Sequence, residues 1–405
     1  MPDAQVVEVE GPHGVREVRL SSPDRLMWPA DGITKGDLAG YVAAIGDYLV
    51  HHIGDRPVTL QRFPEGIEGE EFYQKNPPKG LPDWVRTTRC RYPSGRRHDQ
   101  LVVDEVATAV WAVQMNTVTF HPWPVRTADN DNPDELRIDL DPVPGVPWGQ
   151  VVAVAQVARE VLEDHGLAAW PKTSGSRGFH VYARVHPEYS FRQVRRAADA
   201  VAREVERRAP DLATSRWWKE ERHGVFVDFN QNAKDRTVAS AYSVRPVPDA
   251  RVSTPLRWDE VQACRPEVFT PTTVPRRLAE QGDPWEGMDE APGSLEALLD
   301  LAERLGPAPR PPASAGRRRP TKPLVEVART RTKPEALAAL ERWRDRHPEA
   351  ARHLQPADVL VDGMRGRSSV WYRVRVNLEN VPEPSRPAQE PLEADYDPWS
   401  RRTPG

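Results

Sequence analysis

Cysteine is scarce in this sequence, whose 405 residues include only Cys90 and Cys264. Two cysteines exclude a framework built on disulfides and a cysteine-rich zinc site, so we interpret both as ordinary thiols. No apolar run approaches the length of a membrane span. The first residues also lack the basic start and apolar stretch of a secretory signal. The sequence therefore predicts a cytoplasmic protein without membrane segments.

A strong excess of one charge is also lacking. The 56 basic and 60 acidic residues give a formal net charge of −4, so the total does not indicate a nucleic-acid partner. A basic groove beside a cluster of acidic metal ligands would also give a total near zero. Because local patches decide what a protein binds, the total does not exclude nucleic acid.

Proline is abundant, with 42 residues that concentrate toward the C-terminus. From this change in composition we predict four stretches. They are an α/β domain over 18–305, a Pro- and Arg-rich linker over 307–323, a small module of unknown function over 324–379, and a disordered tail over 380–405.

Periodic patterns within the first stretch predict helices that alternate with short strands. Apolar residues at helical spacing predict helices over 34–52, 104–116, 148–165 and 190–209. Alternating apolar and polar residues predict strands over 136–141, 179–185 and 225–230. Further along the chain, a helix over 334–346 and a strand over 370–377 are predicted. The pattern is typical of a mixed sheet with helices packed against it.

Two carboxylates two residues apart are the first candidate for chemistry. Asp139 and Asp141 project from one face of the predicted strand, while the apolar residues between and before them anchor the other face. Carboxylates this close repel each other unless a cation lies between them. A pair of divalent ions relieves the repulsion and serves phosphoryl or nucleotidyl transfer. Asp228, on a separate strand, is the best candidate for a third ligand. An Asp-x-Asp strand by itself also fits a solvated edge or an ion pair with arginine.

A turn rich in small residues, 173–178, leads into the strand that begins at Phe179. We predict that its glycines allow backbone N–H groups to approach a phosphate, and that Ser174, Ser176, Arg177 and His180 add polar groups. This arrangement suits a triphosphate. The alternative is a Gly/Ser turn with a hydrogen-bonded histidine behind it. The glycine spacing fits neither a Walker loop nor a dinucleotide fingerprint.

Three motifs together resemble one family. The segments ELRIDLDP (135–142), SGSRGFH (174–180) and VFVDFNQN (225–232) are similar in order and spacing to the polymerase domain of the bacterial end-joining ligase LigD, a branch of the archaeo-eukaryotic primase superfamily. The resemblance covers about 18–305. It implies mixed sheets flanked by helices, as in primase-polymerases. It also implies a DNA-directed nucleotidyltransferase that extends DNA 3′ ends with ribonucleotides or deoxyribonucleotides, fills gaps and uses two Mn²⁺ (or Mg²⁺) ions with a nucleoside triphosphate.

The resemblance also assigns roles to residues. It implies that Asp139, Asp141 and Asp228 are catalytic metal ligands and that Phe72 and Tyr73 stack on the template. Ser22, Arg25 and Lys35 match residues that hold a DNA 5′ phosphate. The residues that match nucleotide contacts are His121, Ser174, Ser176, Arg177, His180, Lys219, Gln231 and Arg245. The chain departs from the family at Ser22 and Arg25, where relatives often have Asn and Lys, and at Gln61 and Arg177, where many have Lys.

The ligase and nuclease domains of LigD have no counterpart in the sequence, and no Lys-x-Asp-Gly ligase motif is present. We therefore expect a stand-alone bacterial polymerase that acts on gaps or double-strand ends. Cooperation with Ku and a separate ATP-dependent DNA ligase is a hypothesis. Two other functions stay open from the residues: a two-metal nuclease or phosphohydrolase, and a DNA-end-binding scaffold without catalysis.

Overall fold

The computed structural model describes residues 4–307, 321–365 and 370–397. The predicted 307–323 linker therefore falls mostly outside the described residues. The strands are β1 Ala4–Val9, β2 Arg16–Ser21, β3 Leu26–Trp28, β4 Ile33–Thr34, β5 Pro57–Arg62, β6 Phe72–Gln74, β7 Thr87–Arg91, β8 Arg97–Val102, β9 Thr117–Pro122, β10 Glu135–Pro142, β11 Trp170–Thr173, β12 Phe179–Arg184, β13 Ala213–Thr214, β14 Val225–Asp228, β15 Leu324–Thr330, β16 Val359–Arg365 and β17 Val370–Asn377. The α-helices are α1 Lys35–Ala44, α2 Gly46–Ile53, α3 Val106–Gln114, α4 Trp148–Asp164, α5 Phe191–Arg208, α6 Trp258–Val261, α7 Thr273–Gln281, α8 Glu296–Arg304, α9 Lys333–Arg346 and α10 Pro348–Ala351.

One five-stranded sheet, in the order β11-β12-β10-β14-β13, forms the centre of the larger unit. β10 pairs antiparallel with β12 on one side and with β14 on the other. Helices α4 and α5 cover this sheet with stripes of valine and alanine, and a capping box between Ser190 and Gln193 begins α5. Burying these apolar stripes is the main source of stability, at about 25 cal/mol per Å² of apolar surface. The prediction of mixed sheets flanked by helices is confirmed.

A second sheet contains β6, β5, β8 and β7 in that order, and β9 pairs with β5. Helix α3 is almost entirely buried beside it. The helix predicted over 34–52 is in fact two helices, because Ile45 leaves helical geometry between α1 and α2. The second helix begins at Gly46, which packs closely on α3. A Cβ on this residue would lie 2.2 Å from Cγ1 of Val106. The close approach of α2 to α3 thus requires a glycine at the junction.

The strand predicted over 225–230 is also shorter than expected. β14 ends at Asp228, and Asn230–Asn232 form one 3-10 turn. The cause is local, because the Asn230 backbone N–H donates to Asp228 Oδ1 (2.8 Å) and turns the chain away from the sheet. Asn230 therefore does not share the strand face that carries Asp228.

The C-terminal residues form a smaller layer, which we call the C-terminal module (321–365 and 370–397). Its sheet has the order β15-β17-β16, and α9 packs on one face around a separate apolar cluster that includes Val327, Leu340, Trp343 and Val374. Residues 380–397 are the described part of the tail that was predicted to be disordered. This segment runs beside β15, where the Arg329 N–H donates to the carbonyl of Ala394 and the Glu393 N–H to that of Val327. Residues 398–405 lie outside the described part.

Among the residues that the structure describes, no helix is long and apolar enough to cross a membrane.

Candidate active site

Four polar residues lie side by side across the central sheet. In the register of the strands, Lys172 on β11 is opposite His180 on β12, and His180 is opposite Asp139 on β10. Asp139 is in turn opposite Asp228 on β14. Residues directly opposite each other project from the same face of a sheet, with Cβ atoms about 5 Å apart. We call Lys172, His180, Asp139 and Asp228 the polar row.

The carboxylates of the row are arranged so that they repel one another. Asp141 follows Asp139 by two residues and therefore projects from the same face. Burial and the neighbouring Asp228 and Asp141 raise the pKa of Asp139 well above its ordinary value. Burial also raises the pKa of Asp228, although the backbone of Asn230 and the guanidinium of Arg222 oppose the shift. A carboxylate cluster with raised pKa values favours a bound cation.

The carboxylates do not form a complete metal-coordination site in this structure. Within residues 4–307, 321–365 and 370–397, no three His, Cys, Asp or Glu side chains form a ready-made metal site. Both oxygens of Asp228 instead accept hydrogen bonds, from the Asn230 N–H at 2.8 Å and from Gln231 Nε2 at 3.0 Å. Mutual repulsion explains why unshielded carboxylates do not converge. Their oxygen donors nevertheless match what Mn²⁺ and Mg²⁺ prefer.

His180 connects the carboxylates to a buried lysine. Its Nε2 lies 3.4 Å from Asp139 Oδ1, and its Nδ1 lies 2.7 Å from Lys172 Nζ. Burial and the charges of Lys172 and Arg245 lower the pKa of His180 well below its ordinary value. Lys172 also donates to the carbonyl of Ala239 at 3.0 Å and to the Ser253 hydroxyl. The lysine therefore fixes the orientation of the imidazole.

The turn before β12 is held by its own hydrogen bonds. Ser174 Oγ accepts hydrogen bonds from the backbone N–H groups of Ser176 and Gly178, both at 3.1 Å. These two N–H groups are thus used inside the turn, and the approach of other N–H groups to a phosphate stays a prediction. Gly178 serves a packing role, because a Cβ there would lie 1.9 Å from the carbonyl oxygen of Leu140 on β10. The side chain of Arg177 remains exposed, with Nη2 3.9 Å from Asp141 Oδ1.

A buried basic wall faces the row from the second sheet. His121 Nε2 lies 3.0 Å from Gln61 Oε1, and the ring of Tyr73 packs against the His121 ring with 5.5 Å between their centroids. Arg245 is half-buried, and its pKa is lowered by loss of solvent although Tyr73 and Asp139 oppose the shift. Neither Arg245 Nε nor His121 Nδ1 has a hydrogen-bond partner among the described residues. The unpaired Arg245 nitrogen is a donor that fits an anionic ligand, whereas the unpaired His121 nitrogen is an acceptor, because Nε2 of that ring donates to Gln61.

Phe72 and Tyr73 do not form one stacking surface. They are neighbours on β6, so their side chains alternate between the two faces of the strand. Tyr73 is opposite Gln61 and contacts His121, whereas Phe72 is opposite Arg62, whose guanidinium carbon lies 6.0 Å from its ring centroid. Tyr73 therefore packs beside His121, and Phe72 is beside the positive charge of Arg62.

The predicted 5′-phosphate residues gather at the start of α1. Lys35 Nζ donates to the carbonyl of Ser21 at 3.0 Å, and Arg25 donates to the carbonyl of Pro64. Burial and the charges of Arg25 and Arg62 lower the pKa of Lys35 to about 8. Ser22 takes a left-handed backbone conformation (φ 51°) in the turn that brings Arg25 to this place. Lys35 at the N-terminus of α1, with the charges of Arg25 and Arg62 near it, forms a favourable place for an anion.

Two predicted nucleotide contacts have other partners in the structure. Lys219 Nζ lies 2.8 Å from Asp362 Oδ1 of the C-terminal module, and Gln231 donates to Asp228. The sequence reasoning assigned no role to Lys172, Arg62 or Arg222. Arg222 has its guanidinium carbon 3.3 Å from the ring centroid of Phe226. Arg222 lies six residues before Asp228, ahead of β14, and in the sequence it was only one of several cations that flank this aspartate.

Comparison with known proteins places these residues in a family. Residues 34–285 match the family described as LigD, primase-polymerase domain. The chain belongs to the LigD primase-polymerase domain family. It is 32% identical over 302 residues to the multifunctional non-homologous end joining protein LigD of Mycolicibacterium smegmatis and 30% identical over 272 residues to the bifunctional LigD of Bacillus subtilis. These alignments cover 72% and 66% of this chain.

A solved structure shows the same fold for this LigD-type domain. The polymerase domain of Mycobacterium tuberculosis ligase D in complex with DNA superposes with a TM-score of 0.64 and 32% identity. The match covers 68% of this chain and 99% of that domain. By contrast, the chain spans only 40% of the M. smegmatis LigD and 44% of the B. subtilis LigD. Ser22, Arg25 and the C-terminal module lie outside the 34–285 range of the family match.

Proposed function

We propose that this chain is a metal-dependent nucleotidyltransferase that extends DNA 3′ ends with ribonucleotides or deoxyribonucleotides during gap filling and end joining. The observation that carries the proposal is the position of Asp139 between His180 and Asp228 on one sheet face, with Asp141 two residues along. This arrangement lies within a LigD-type polymerase domain, and the solved relative was captured with DNA.

Asp139, Asp141 and Asp228 would hold two divalent ions, Mn²⁺ or Mg²⁺. The raised pKa of Asp139, caused by burial and its two acidic neighbours, supports a cation at this place because a proton or a metal must offset the repulsion. When bound, the ions would stabilise the alkoxide of the primer 3′ hydroxyl and the charge of the triphosphate. Nucleotidyl transfer forms a bond between the 3′ oxygen and the α-phosphorus and releases pyrophosphate.

The chain's own residues would bind and orient the nucleotide. His180 is held neutral by burial and by Lys172, so its Nε2 can hydrogen-bond a phosphate or Asp139 without adding charge. The exposed guanidinium of Arg177 lies above Asp141, where a triphosphate would extend from the row. Arg245 and His121, with unpaired nitrogens, line the inner wall on the ribose side together with Tyr73. Ser174 shapes the turn through its hydroxyl, and Ser176 and Gln231 complete the proposed contacts.

The cluster around Lys35 would bind the 5′ phosphate at the far side of a gap. Lys35, Arg25 and Arg62 are close enough for the two arginines to lower the pKa of the lysine. Bringing three cations together costs free energy that a bound dianion would recover. Phe72, beside Arg62, would contact the template strand.

The decisive experiment is primer extension on labelled, gapped DNA with Mn²⁺, with and without nucleoside triphosphates. We expect the primer to lengthen only when triphosphates are present. Asp139→Ala should abolish extension, whereas Asp99→Asn, which removes an exposed carboxylate that pairs with Arg89, should not. Extension that persists in Asp139→Ala would refute the assignment.

The same experiment tests the competing functions. Shortening of the primer with Mn²⁺ alone would indicate a two-metal nuclease or phosphohydrolase. Binding of gapped DNA with neither lengthening nor shortening would indicate an end-binding scaffold. Cooperation with Ku and a separate ligase in a bacterial cytoplasm is part of the proposal, and a pull-down from cell extract that recovers neither protein would count against it.

A further inference from the structure

The C-terminal module has one sheet face that its own helix does not cover. In the register of β16 and β17, Leu360 is opposite Arg375, Asp362 opposite Arg373, and Met364 opposite Trp371. These residues project away from α9, which packs against the other face through Val374 and Val376. Leu360, Asp362 and Trp371 are nevertheless only 7%, 5% and 9% exposed. This face is therefore covered by another part of the chain.

Two ion pairs show that the polymerase domain covers this face. Asp362 Oδ1 lies 2.8 Å from Lys219 Nζ, and Arg375 Nη1 lies 3.8 Å from Glu220 Oε2. Tyr372, on the α9 side of β17, makes a separate contact with the same domain by donating a hydrogen bond of 2.8 Å to Glu71 Oε2. The module also approaches the polymerase domain at a third place, Gly145. A Cβ added to this glycine would lie 3.3 Å from Cβ and Cγ of Pro356.

The three places surround the candidate active site. Glu71 precedes Phe72 and Tyr73 in the loop proposed to contact the template, and Gly145 lies in the loop that follows Asp141. Lys219 begins the 3-10 turn that leads to Arg222, whose guanidinium is close enough to Asp228, Asp141 and Asp362 for each to raise its pKa against the effect of burial. The module thus connects the template loop to the loop beside the carboxylates.

Asp362 occupies a position that suits a phosphate. Lys219 lies at 2.8 Å, Arg375 at 2.9 Å and Arg373 at 3.3 Å from its carboxylate oxygens. One carboxylate carries a single negative charge, whereas the three side chains around it carry three positive charges. The excess positive charge suits a phosphate. On the other side of the site, the side chains of Asp141 and Arg177 keep 54% and 58% of their surface exposed. The module therefore covers the template side and leaves the nucleotide side open.

We propose that the C-terminal module is an autoinhibitory cover of the DNA cleft, held by Asp362 on Lys219 and by Tyr372 on Glu71, and that the phosphate backbone of gapped DNA displaces it. The proposal rests on the proposed function for the identity of the competing ligand. Because the nucleotide side is open, metal and nucleotide bind with the module docked, and DNA does not.

The test measures DNA binding in the full chain without nucleotide. Fluorescence anisotropy with a 5′-phosphorylated gapped duplex compares the unaltered chain with Asp362→Asn, Tyr372→Phe and the control Glu349→Gln, which removes an exposed module carboxylate that pairs with Arg352. We expect Asp362→Asn to tighten binding about 3- to 10-fold and Tyr372→Phe about 2- to 3-fold, as expected for loss of a partly buried contact. The control should bind like the unaltered chain.

Hydrogen exchange supplies a second measurement that does not depend on activity. Amides of residues 69–71, 143–146 and 219–221 should exchange faster in Asp362→Asn than in the unaltered chain. Tyr372→Phe guards against a folding defect, since it removes only one hydroxyl. Unchanged or weaker DNA binding in both variants would overturn the proposal. Tighter binding without any primer extension would instead contradict the proposed polymerase activity while supporting the cover.

Discussion

Asp139 and Asp228 face each other across the antiparallel pairing of β10 and β14, and both belong to the buried part of the site. A pairing of two carboxylates in register is unfavourable for folding, because like charges directly opposite each other destabilise a sheet. The sheet holds them there, and the cost becomes useful only when a cation binds between them. Stability and function therefore conflict at this place.

Replacing one of these carboxylates should separate the two effects. The folded-state pKa of Asp139 lies above its ordinary value, so the charged side chain destabilises the fold at any pH above that ordinary value. Asp139→Asn removes the penalty and should raise the melting temperature in EDTA by about 2–4 °C at pH 8, equivalent to about 1 kcal/mol. It should also abolish the stabilisation that Mn²⁺ gives the unaltered chain. Differential scanning fluorimetry with and without Mn²⁺ measures both.

Asp99→Asn is the control, because it removes an exposed carboxylate outside the site. Its melting temperature should still rise with Mn²⁺. A Mn²⁺-dependent rise in Asp139→Asn equal to that of the control would contradict a metal site at Asp139.

The lowered pKa of Lys35 predicts that the binding of a DNA 5′ phosphate depends on pH. With a pKa of about 8, Lys35 is charged below that pH and loses its charge as the pH rises through it. A terminal phosphate stays dianionic, since its second pKa is about 6. The preference for 5′-phosphorylated over unphosphorylated gapped DNA should therefore decrease about 10-fold between pH 7 and pH 9.5. Anisotropy titrations of the two duplexes across this range measure the ratio.

Lys35→Arg is the matched variant, because the guanidinium stays charged over the whole range. Its preference for the phosphate should vary little with pH. If the unaltered chain shows the same flat profile, Lys35 is not a phosphate ligand of the predicted kind.

The sequence was informative where a pattern is local. The alternation in 136–141 predicts that Asp139 and Asp141 share a face, and the structure places them so. The same reasoning could not predict Lys172, because β11 is only four residues long and its partner His180 is identified only by the pairing of two strands. The hydrogen bonds inside the turn could not be predicted either, because the sequence does not show that the Ser174 hydroxyl accepts from the N–H groups of Ser176 and Gly178.

Contacts between distant parts of the chain were the least predictable. Tyr372 and Glu71 are 301 residues apart, and no periodicity relates them. The alternation in 370–377 predicts a strand but not which surface covers its open face. The family match likewise ends at residue 285, so the placement of the C-terminal module follows from the structure alone.

Lys172 should act as a positioning residue for His180. Lys172→Met keeps the apolar stem and removes the amine that lies 2.7 Å from His180 Nδ1. We expect kcat for extension to fall about 10- to 100-fold, as for other partners that orient a site ligand. Nitrogen-15 NMR of the histidine rings should show a changed Nδ1 signal for His180. A lower kcat with an unchanged His180 spectrum would contradict positioning through the ring.

The turn at Gly175 offers a test of the nucleotide side with a closely matched control. Gly175 and Gly282 both have a positive φ, of 67° and 68°, but only Gly175 is crowded. A Cβ there would lie 2.4 Å from Cγ of Arg245 and 2.8 Å from the backbone nitrogen of Ser253, whereas nothing lies within 4 Å at Gly282. Alanine at either position should cost stability, because side chains rarely adopt a positive φ.

Only Gly175→Ala should also displace Arg245, because its methyl group occupies the space of that side chain. Extension kinetics at saturating DNA should therefore show a KM for the nucleotide about 10-fold higher in Gly175→Ala, as expected when one charge-assisted contact is weakened. Gly282→Ala should keep the KM of the unaltered chain although it also places a side chain at a positive φ. Equal KM values in the two variants would mean that Arg245 does not contact the nucleotide, since only Gly175 is crowded by that side chain.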